Sequence, residues 1–291
     1  MTYTLAIGDR TYSSWSLRGW LLFEKFDLPV NIVSARMYSE AFRAMLAQFD
    51  MADLVPALRI GKNGADFCMW DTLAIAEMLA ERHPVAGFWP KNPAARGFAR
   101  SITAEMHAGF AALRNECTMN LRHAYPDFTA RQDVRRDVAR IDALWSEARR
   151  RHGATGPWLF GTYSVADAFF APVATRFATY HLDIGPVASE YVNTVLADPA
   201  FRRWRAMGLA ENHVQPGYDL DLPPYVWPGP TPLAAQAVHG ETAINQTCPY
   251  SGKPVSRDAL ARINGHIIGF CNTFCRDTTV ADPEAWPATM A

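Results

Sequence analysis

Apolar residues in the first part of the chain follow two spacings, one typical of strands and one typical of helices. Strand-like runs occupy residues 3–7, 30–33, 54–60 and 67–69. Helix-like runs follow residues 13–16, 39 and 71–72, where Ser, Asp or Thr can cap a helix N-terminus. The order predicts a βαβ unit, then a β-hairpin with a turn at 61–64, then a helix. We therefore expect an α/β domain over residues 1–83.

Strand-like patterns stop after a proline-rich segment near residues 84–93, and helical spacing takes over. The predicted helices cover residues 94–124, 129–152, 164–180, 186–197 and 199–212. Several arginines lie in 129–152, opposite an apolar stripe. Because a solvated face explains them, we do not assign them to nucleic acid binding. These segments predict an all-helical domain over residues 94–215.

The last part of the chain has two segments that differ in composition from the helical domain. Prolines crowd residues 216–232 and predict an extended linker over 216–246. Residues 247–291 then predict a small α+β module with its own hairpin, formed by 260–263 and 266–270 around Asn264-Gly265.

Composition and charge exclude several classes to which the protein could belong. Of 291 residues, 49% are hydrophobic, so wholesale disorder is excluded. The formal net charge of -1 indicates neither a nucleic acid partner nor a membrane partner. We find no apolar stretch of ~18 residues and no basic segment before the first apolar run, which argues against a membrane span and a secretory signal. Five cysteines, an odd number, favour a reducing cytoplasmic location over a disulfide framework.

Four short segments carry the most specific signals. Residues 12–18 read Tyr-Ser-Ser-Trp-Ser-Leu-Arg, 54–58 Leu-Val-Pro-Ala-Leu, 70–75 Trp-Asp-Thr-Leu-Ala-Ile, and 161–167 Gly-Thr-Tyr-Ser-Val-Ala-Asp. In this order they resemble motifs of the glutathione transferase superfamily, and the first resembles its Ser-type zeta class. The resemblance implies a thioredoxin-like glutathione-binding domain, the all-helical transferase domain, and a homodimer that acts on a small electrophilic substrate.

The resemblance places the thiol-activating hydroxyl on Ser13, with Ser14 as the alternative. A hydroxyl at a helix N-terminus lies near the positive end of the helix dipole and can donate to a sulfur anion. A free thiol titrates near ~8.5. A hydrogen bond to a charged group contributes roughly 1.5–3 kcal/mol, which is enough to make the bound thiol largely ionised near neutral pH. A capping role alone remains open for either serine.

The other motifs imply contacts with the rest of glutathione. Pro56 would follow a cis bond and turn the Val55 backbone toward the peptide-like ligand. Asp71 would bind the γ-glutamyl ammonium, and Thr72 its carboxylate. Trp15 is a further binding residue and stands where the zeta motif has Cys, which weakens the case for isomerase activity. Without the resemblance, Pro56 is an edge-strand proline and Asp71 a helix cap.

The sequence leaves several assignments open. The cation for the glycyl carboxylate is sought among Arg36, Arg43 and Gln48, and Arg18 faces either the site or solvent. The wall of the second-substrate site, or alternatively core, is sought among apolar residues: Trp15, Met106, Phe110, Met119 and Phe169. Ser164 and Asp167 are predicted to form a structural capping box.

Residues outside the transferase resemblance include three of the five cysteines. Cys248, Cys271 and Cys275, with an Ala-Asp-Pro-Glu segment after them, resemble the small YHS/TRASH metal-binding modules. The resemblance implies a metal site, and three thiolates favour Zn or Cu(I). His266 or His239 is the candidate fourth ligand. A metal-free docking module with buried thiols is the alternative.

Two functional hypotheses follow. The first is a glutathione transferase in which glutathione is the co-substrate, with isomerase or peroxidase activity as variants. The second is a non-catalytic transferase-like scaffold whose C-terminal module senses or binds a metal.

Overall fold

The computed structural model describes residues 2–61 and 66–286. Most of the predicted turn at 61–64 therefore lies outside the described residues. The described chain forms two compact units. One extends to Val195 and takes in Gln215–Pro228, and the other comprises Leu196–Val214 and the described residues from Gly229 onward. No helix in the described ranges has the length and apolarity to span a membrane.

The first unit begins with a four-stranded sheet in the order β2-β1-β3-β4. Its strands are β1 Thr2–Ile7, β2 Asn31–Ser34, β3 Ala57–Gly61 and β4 Phe67–Trp70. β1 pairs parallel with β2, while β3 pairs antiparallel with both β1 and β4. The helices of this part are α1 Ser14–Glu24, α2 Glu40–Leu46 and α3 Thr72–Arg82. This is the predicted thioredoxin-like arrangement, and the α/β part of the fold class is confirmed.

One predicted strand is shorter than its apolar pattern. The pattern begins at residue 54, whereas β3 begins at Ala57. Pro56 carries no backbone N–H and cannot donate to a β-ladder, so the strand starts after it. Val55 consequently lies outside the ladder that joins β3 to β1 and β4.

The helical part of the first unit contains α4 Pro93–Ala108, α5 Ala111–Glu116, α6 Gln132–His152, α7 Val165–Thr179 and α8 Pro186–Ala197. A single helix over 94–124 was the prediction, and it is wrong. Gly109 ends α4, and Phe110 has a left-handed backbone at φ 57°, which a continuing helix cannot adopt. The all-helical character of the domain is confirmed.

Five of the six arginines of α6 are exposed, and the sixth, Arg149, donates to backbone carbonyls that follow the helix. Val134, Val138 and Trp145 are buried. Arg140 forms an ion pair with Glu105 of α4 at 2.7 Å. These contacts fit the solvated face that the sequence predicts.

The second unit combines α9 Pro199–Ala210 with a three-stranded antiparallel sheet and a last helix. These elements are β5 Ala235–Val238, β6 Leu260–Ile263, β7 His266–Gly269 and α10 Thr273–Ala281. Asn264 and Gly265 both have positive φ, as the predicted hairpin turn requires. Strand β5 lies inside the segment predicted as linker, after the last of its clustered prolines.

A partly buried cluster of charges joins α9 to the end of the second unit. Arg202 donates to Asp282 at 2.7 and 2.6 Å and to Glu284 at 3.1 Å. Both acids belong to the Ala-Asp-Pro-Glu segment, and α10 packs against α9. The structure thus groups α9 with the C-terminal elements. The domain limits drawn from the sequence at 94–215, 216–246 and 247–291 stay predictions.

Candidate active site

A cavity of about 440 Å³ lies in the first unit, beside the N-terminus of α1. The segments that line it come from α1, from the approaches to β3 and α3, and from the helical part. The lining residues include every site residue that the transferase motifs predicted: Ser13, Ser14, Trp15, Val55, Pro56, Asp71 and Thr72. Segments far apart in sequence therefore meet at one cavity, and the individual roles of these residues stay predictions.

Ser13 is the N-cap of α1 and belongs to a short chain of hydroxyls. The Gly8 N–H donates to Ser16 Oγ at 2.9 Å, and Ser16 Oγ lies 2.7 Å from Ser13 Oγ. The Ser16 N–H also donates to Ser13 Oγ, at 3.2 Å. When Ser16 donates its hydroxyl proton to Ser13, the Ser13 proton is free to point into the cavity. The same residue can then cap the helix and donate to a ligand.

Ser14 occupies the first turn of α1 and is half-buried. Its Oγ accepts a long contact of 3.5 Å from Arg176 Nη2 of α7. Ser13 and Ser14 thus both line the cavity, and their hydroxyls have different neighbours.

The Val55–Pro56 bond is cis, as the resemblance implies. Pro56 packs against α1 at Gly19, where a Cβ would approach the Pro56 ring to 2.8 Å. This close approach requires glycine at position 19. It fixes Val55 and Pro56 beside the first turns of α1, next to the cavity.

Asp71 and Thr72 form the start of α3. Asp71 Oδ1 caps the helix by accepting from the Leu73 and Ala74 N–H groups, at 2.8 and 3.1 Å. Its other oxygen pairs with His107 Nε2 at 3.1 Å. Thr72 is fully buried, and its Oγ1 has no hydrogen-bond partner among the described residues. An unpaired buried hydroxyl costs about 1–3 kcal/mol, so this atom is suited to a ligand.

The cations of the cavity differ from those sought in the sequence. Arg36, Arg43 and Gln48 do not appear in its lining, which instead contains Arg114 of α5 and Arg176 of α7. Sequence reasoning missed both, because their placement depends on how helices distant in sequence pack. One signal was available for Arg176, since it is the single basic residue of the mostly apolar helix α7.

Two guanidinium groups are buried near this cavity. Arg176 donates to the Cys117 carbonyl at 2.7 Å and to the Pro172 carbonyl at 3.1 Å. Burial lowers the pKa of Arg176 to about 10. Arg18 faces inward, which answers the open question about it, with its Cζ 4.7 Å from the Trp15 ring and 5.2 Å from the Phe169 ring. Burial, together with Arg176, lowers the Arg18 pKa well below its usual value.

The apolar candidates for the second-substrate wall separate into two groups. Trp15 and Met119 line the cavity. Met106, Phe110 and Phe169 are buried and do not appear in its lining, so they belong to the core. The helical spacing of apolar residues does not distinguish a cavity wall from the core, because in both cases the apolar side chains lie on the inward face of a helix.

A cluster of thiols is a separate feature, in the second unit. The sulfurs of Cys248, Cys271 and Cys275 lie within 4.8 Å of one another. Burial raises the pKa of Cys248, but N–H groups, first that of Cys271, donate to its sulfur and lower the value to about 6. Among the described residues, neither His239 nor His266 belongs to this cluster. Their segments, the end of β5 and the start of β7, do not bring them to the sulfurs.

One curated protein is similar in sequence to this chain. No protein-family model matches the chain. A Caenorhabditis elegans protein named probable maleylacetoacetate isomerase is 26% identical over 199 residues, which cover 66% of this chain and 87% of the worm protein. The YHS/TRASH resemblance of residues 247–291 stays a prediction from the sequence pattern, beside the cluster of thiols that the structure shows.

Solved structures show the same fold at lower identity. A glutathione transferase homolog from Burkholderia, with bound glutathione, has a TM-score of 0.54 and 19% identity, covering 72% of this chain and 99% of its own. A maleylacetoacetate isomerase from Anaeromyxobacter dehalogenans, with glutathione bound in its active site, has a TM-score of 0.51 and 21% identity, covering 76% and 98%. The chain therefore has the glutathione transferase fold.

Proposed function

We propose that this protein binds glutathione in the cavity beside α1, ionises its thiol, and directs the thiolate to a small electrophile. The observation that carries the proposal is the convergence of the three N-terminal motifs on one cavity. A thiolate at the start of α1 would receive the Ser13 hydroxyl proton as a hydrogen bond and would lie at the positive end of the helix dipole. Both interactions favour the ionised thiol.

The γ-glutamyl end of glutathione is assigned to the start of α3. Its carboxylate would accept from Thr72 Oγ1, which otherwise lacks a partner among the described residues. Its ammonium would pair with the Asp71 oxygen that now faces His107. Val55 would contribute backbone hydrogen bonds to the cysteinyl part in the manner of an added strand.

The second substrate is assigned to the side of the cavity lined by Trp15, Met119 and Tyr218. Arg114 and Arg176 add positive charge there, which favours an electrophile that bears an anionic group. Because Trp15 replaces the Cys of the zeta motif, we place conjugation ahead of isomerisation, with peroxide reduction as a further activity to assay. The homodimer and the cytoplasmic location remain predictions from the resemblance and the free cysteines.

We expect glutathione to bind with measurable heat in a calorimetric titration, and Thr72→Val to weaken that binding about tenfold, as expected for a lost charge-assisted hydrogen bond. Thr103→Val is the matched control. Thr103 is equally buried, its hydroxyl is likewise unpartnered among the described residues, and it does not appear in the cavity lining. Absence of heat with the wild-type protein would exclude the proposed function.

A second candidate function is supported by the thiol cluster. We propose that Cys248, Cys271 and Cys275 bind one thiophilic ion, Zn or Cu(I). The short sulfur separations fit such an ion, and the N–H groups donating to Cys248 favour its thiolate form. A closed zinc site has four ligands, so the three-sulfur set fits Cu(I) better, or zinc with a ligand from solution. The hypothesis of a non-catalytic scaffold gains support if the protein binds the metal ion and consumes no electrophile.

We expect the anaerobically purified full-length protein to bind one equivalent of Cu(I) or Zn in competition with a chromophoric chelator. Cys271→Ser should weaken that binding by at least about tenfold, because a ligand is lost. Cys68→Ser is the control, since Cys68 is a free thiol in the N-terminal sheet. Equal effects of the two substitutions, or no bound ion in the wild-type protein, would contradict this assignment.

A further inference from the structure

The Trp15 ring contacts both Arg18, which is buried in the core of the first unit, and Arg114, which lines the cavity. The Cζ atom of buried Arg18 lies 4.7 Å from the centroid of the Trp15 ring and 5.2 Å from the centroid of the Phe169 ring. The Cζ atom of Arg114 lies 5.4 Å from the same Trp15 ring. Rings and guanidinium groups therefore alternate from Phe169 in the core through Arg18 and Trp15 to Arg114 in the cavity lining.

Arg114 has few other constraints on its position. It lies on α5, a helix of less than two turns, and its Nη1 donates to the His107 carbonyl at 3.0 Å. Within the described parts of the chain it forms no ion pair. A guanidinium on a Trp face is stabilised by about 0.5–2 kcal/mol, which is enough to favour one side-chain orientation. The Trp15 ring and the His107 carbonyl thus hold the cation at the cavity.

The charge of the cavity wall is unbalanced. Asp71 is the single acidic residue among the described lining residues, and its two oxygens are engaged by the α3 cap and by His107. Arg114 and Arg176 have no carboxylate partner among the described residues. A cation that faces a cavity without a counter-ion favours an anionic ligand.

We propose that Trp15 determines the specificity of the second-substrate site: by holding the Arg114 guanidinium at the cavity, it makes the protein prefer electrophiles that carry a carboxylate over neutral electrophiles of the same shape. The inference rests on the proposed glutathione chemistry. It assigns Trp15 a positioning role in place of the reactive thiol that the zeta motif has there. The carboxylate is bound by Arg114, and Trp15 acts through that residue.

The test uses two electrophiles that differ in charge, 4-chloro-3-nitrobenzoate and its methyl ester. In each reaction the glutathione thiolate attacks the carbon that bears chlorine, a C–S bond forms, the C–Cl bond breaks, and chloride leaves with the electron pair. The thiol proton has already gone to solvent. The measured quantity is the ratio of kcat/KM for the carboxylate to kcat/KM for the ester, in which any common effect on glutathione cancels.

We expect Trp15→Leu to lower this ratio about tenfold relative to the wild-type protein, which corresponds to one lost charge-assisted contact. Trp15→Phe keeps a ring under Arg114 and should keep the ratio within about twofold. Arg114→Gln should lower the ratio as much as Trp15→Leu, and the double variant should be no lower than Arg114→Gln, because the two residues act as one unit. Thermal unfolding of each variant verifies that it is folded.

An unchanged ratio in Trp15→Leu would overturn the inference. So would an equal loss with both electrophiles in Arg114→Gln, since Arg114 would then serve glutathione itself. If the wild-type protein consumes neither electrophile, the proposed transfer reaction fails. The inference is then judged by calorimetry with the two ready-made glutathione conjugates: the same pattern of affinity ratios supports it, and equal affinities or no binding overturn it.

Discussion

Ser13→Ala is expected to reduce conjugation with glutathione about a hundredfold at neutral pH. Loss of a hydrogen bond to a charged sulfur removes roughly 1.5–3 kcal/mol, which corresponds to about a 10–150-fold change in an equilibrium or rate constant. The pKa of the bound thiol should rise by about one to two units toward its free value near ~8.5. The thiolate fraction at neutral pH then falls, and the loss of rate should shrink as pH rises. The measurement is kcat/KM against pH, together with the ultraviolet absorbance of the bound thiolate.

Ser13→Thr and Ser14→Ala are the matched variants for this prediction. Thr retains a hydroxyl that can cap α1 and donate to sulfur, so most of the rate should return. Loss of the cap in Ser13→Ala costs about 1 kcal/mol of stability, which an unfolding titration measures separately. If Ser14→Ala loses more rate than Ser13→Ala, the thiol contact belongs to Ser14. If the pH profile of Ser13→Ala is unchanged, neither the hydroxyl chain nor its proton acts on the thiol.

The parts of the site that could be predicted from the sequence depend on local chemistry. A helix N-terminus needs acceptors for its free N–H groups, and Ser13 and Asp71 supply them within three residues of their partners. Proline at position 56 ends the apolar run before β3 for an equally local reason. The thioredoxin-like order of strands and helices could be predicted because each element is short and bounded by such residues.

The parts that could not be predicted depend on packing between distant segments. Arg114 and Arg176 reach the cavity because α7 packs against α1 and α5 contributes to the same lining. The same packing buries Arg18 near the rings of Trp15 and Phe169, an orientation that its sequence context left open. The break between α4 and α5 has a weak local signal in Gly109, but the left-handed backbone of Phe110 has none. The residue type at a single position does not determine how distant segments pack, so this packing is known only from the three-dimensional structure.

Asp167→Ala is expected to give the largest loss of stability, about 3–5 kcal/mol, with little effect on chemistry in the molecules that remain folded. Ser164 and Asp167 form the predicted capping box at the start of α7. The buried carboxylate also accepts from the Leu159 N–H at 3.1 Å and from Tyr191 Oη at 3.1 Å, in addition to the Ser164 N–H at 2.8 Å. Truncation leaves these donors buried without an acceptor. Urea unfolding measures the loss, and glutathione calorimetry on the folded protein tests whether the site survives.

The pH dependence of the free energy of unfolding tests the structural role of the Asp167 carboxyl. Burial raises the pKa of Asp167 to about 6, and the four hydrogen bonds only partly oppose that effect. Since the unfolded carboxyl titrates near ~3.9, the folded protein binds the proton more tightly. The stabilisation of the folded state by this tighter proton binding is therefore fully present below about pH 4 and is lost as pH rises through about 6. The difference in stability between the wild-type protein and Asp167→Asn, which cannot titrate, should accordingly decrease between these two pH values. A normal melting temperature with abolished turnover in Asp167→Ala would show instead that the carboxylate takes part in the reaction.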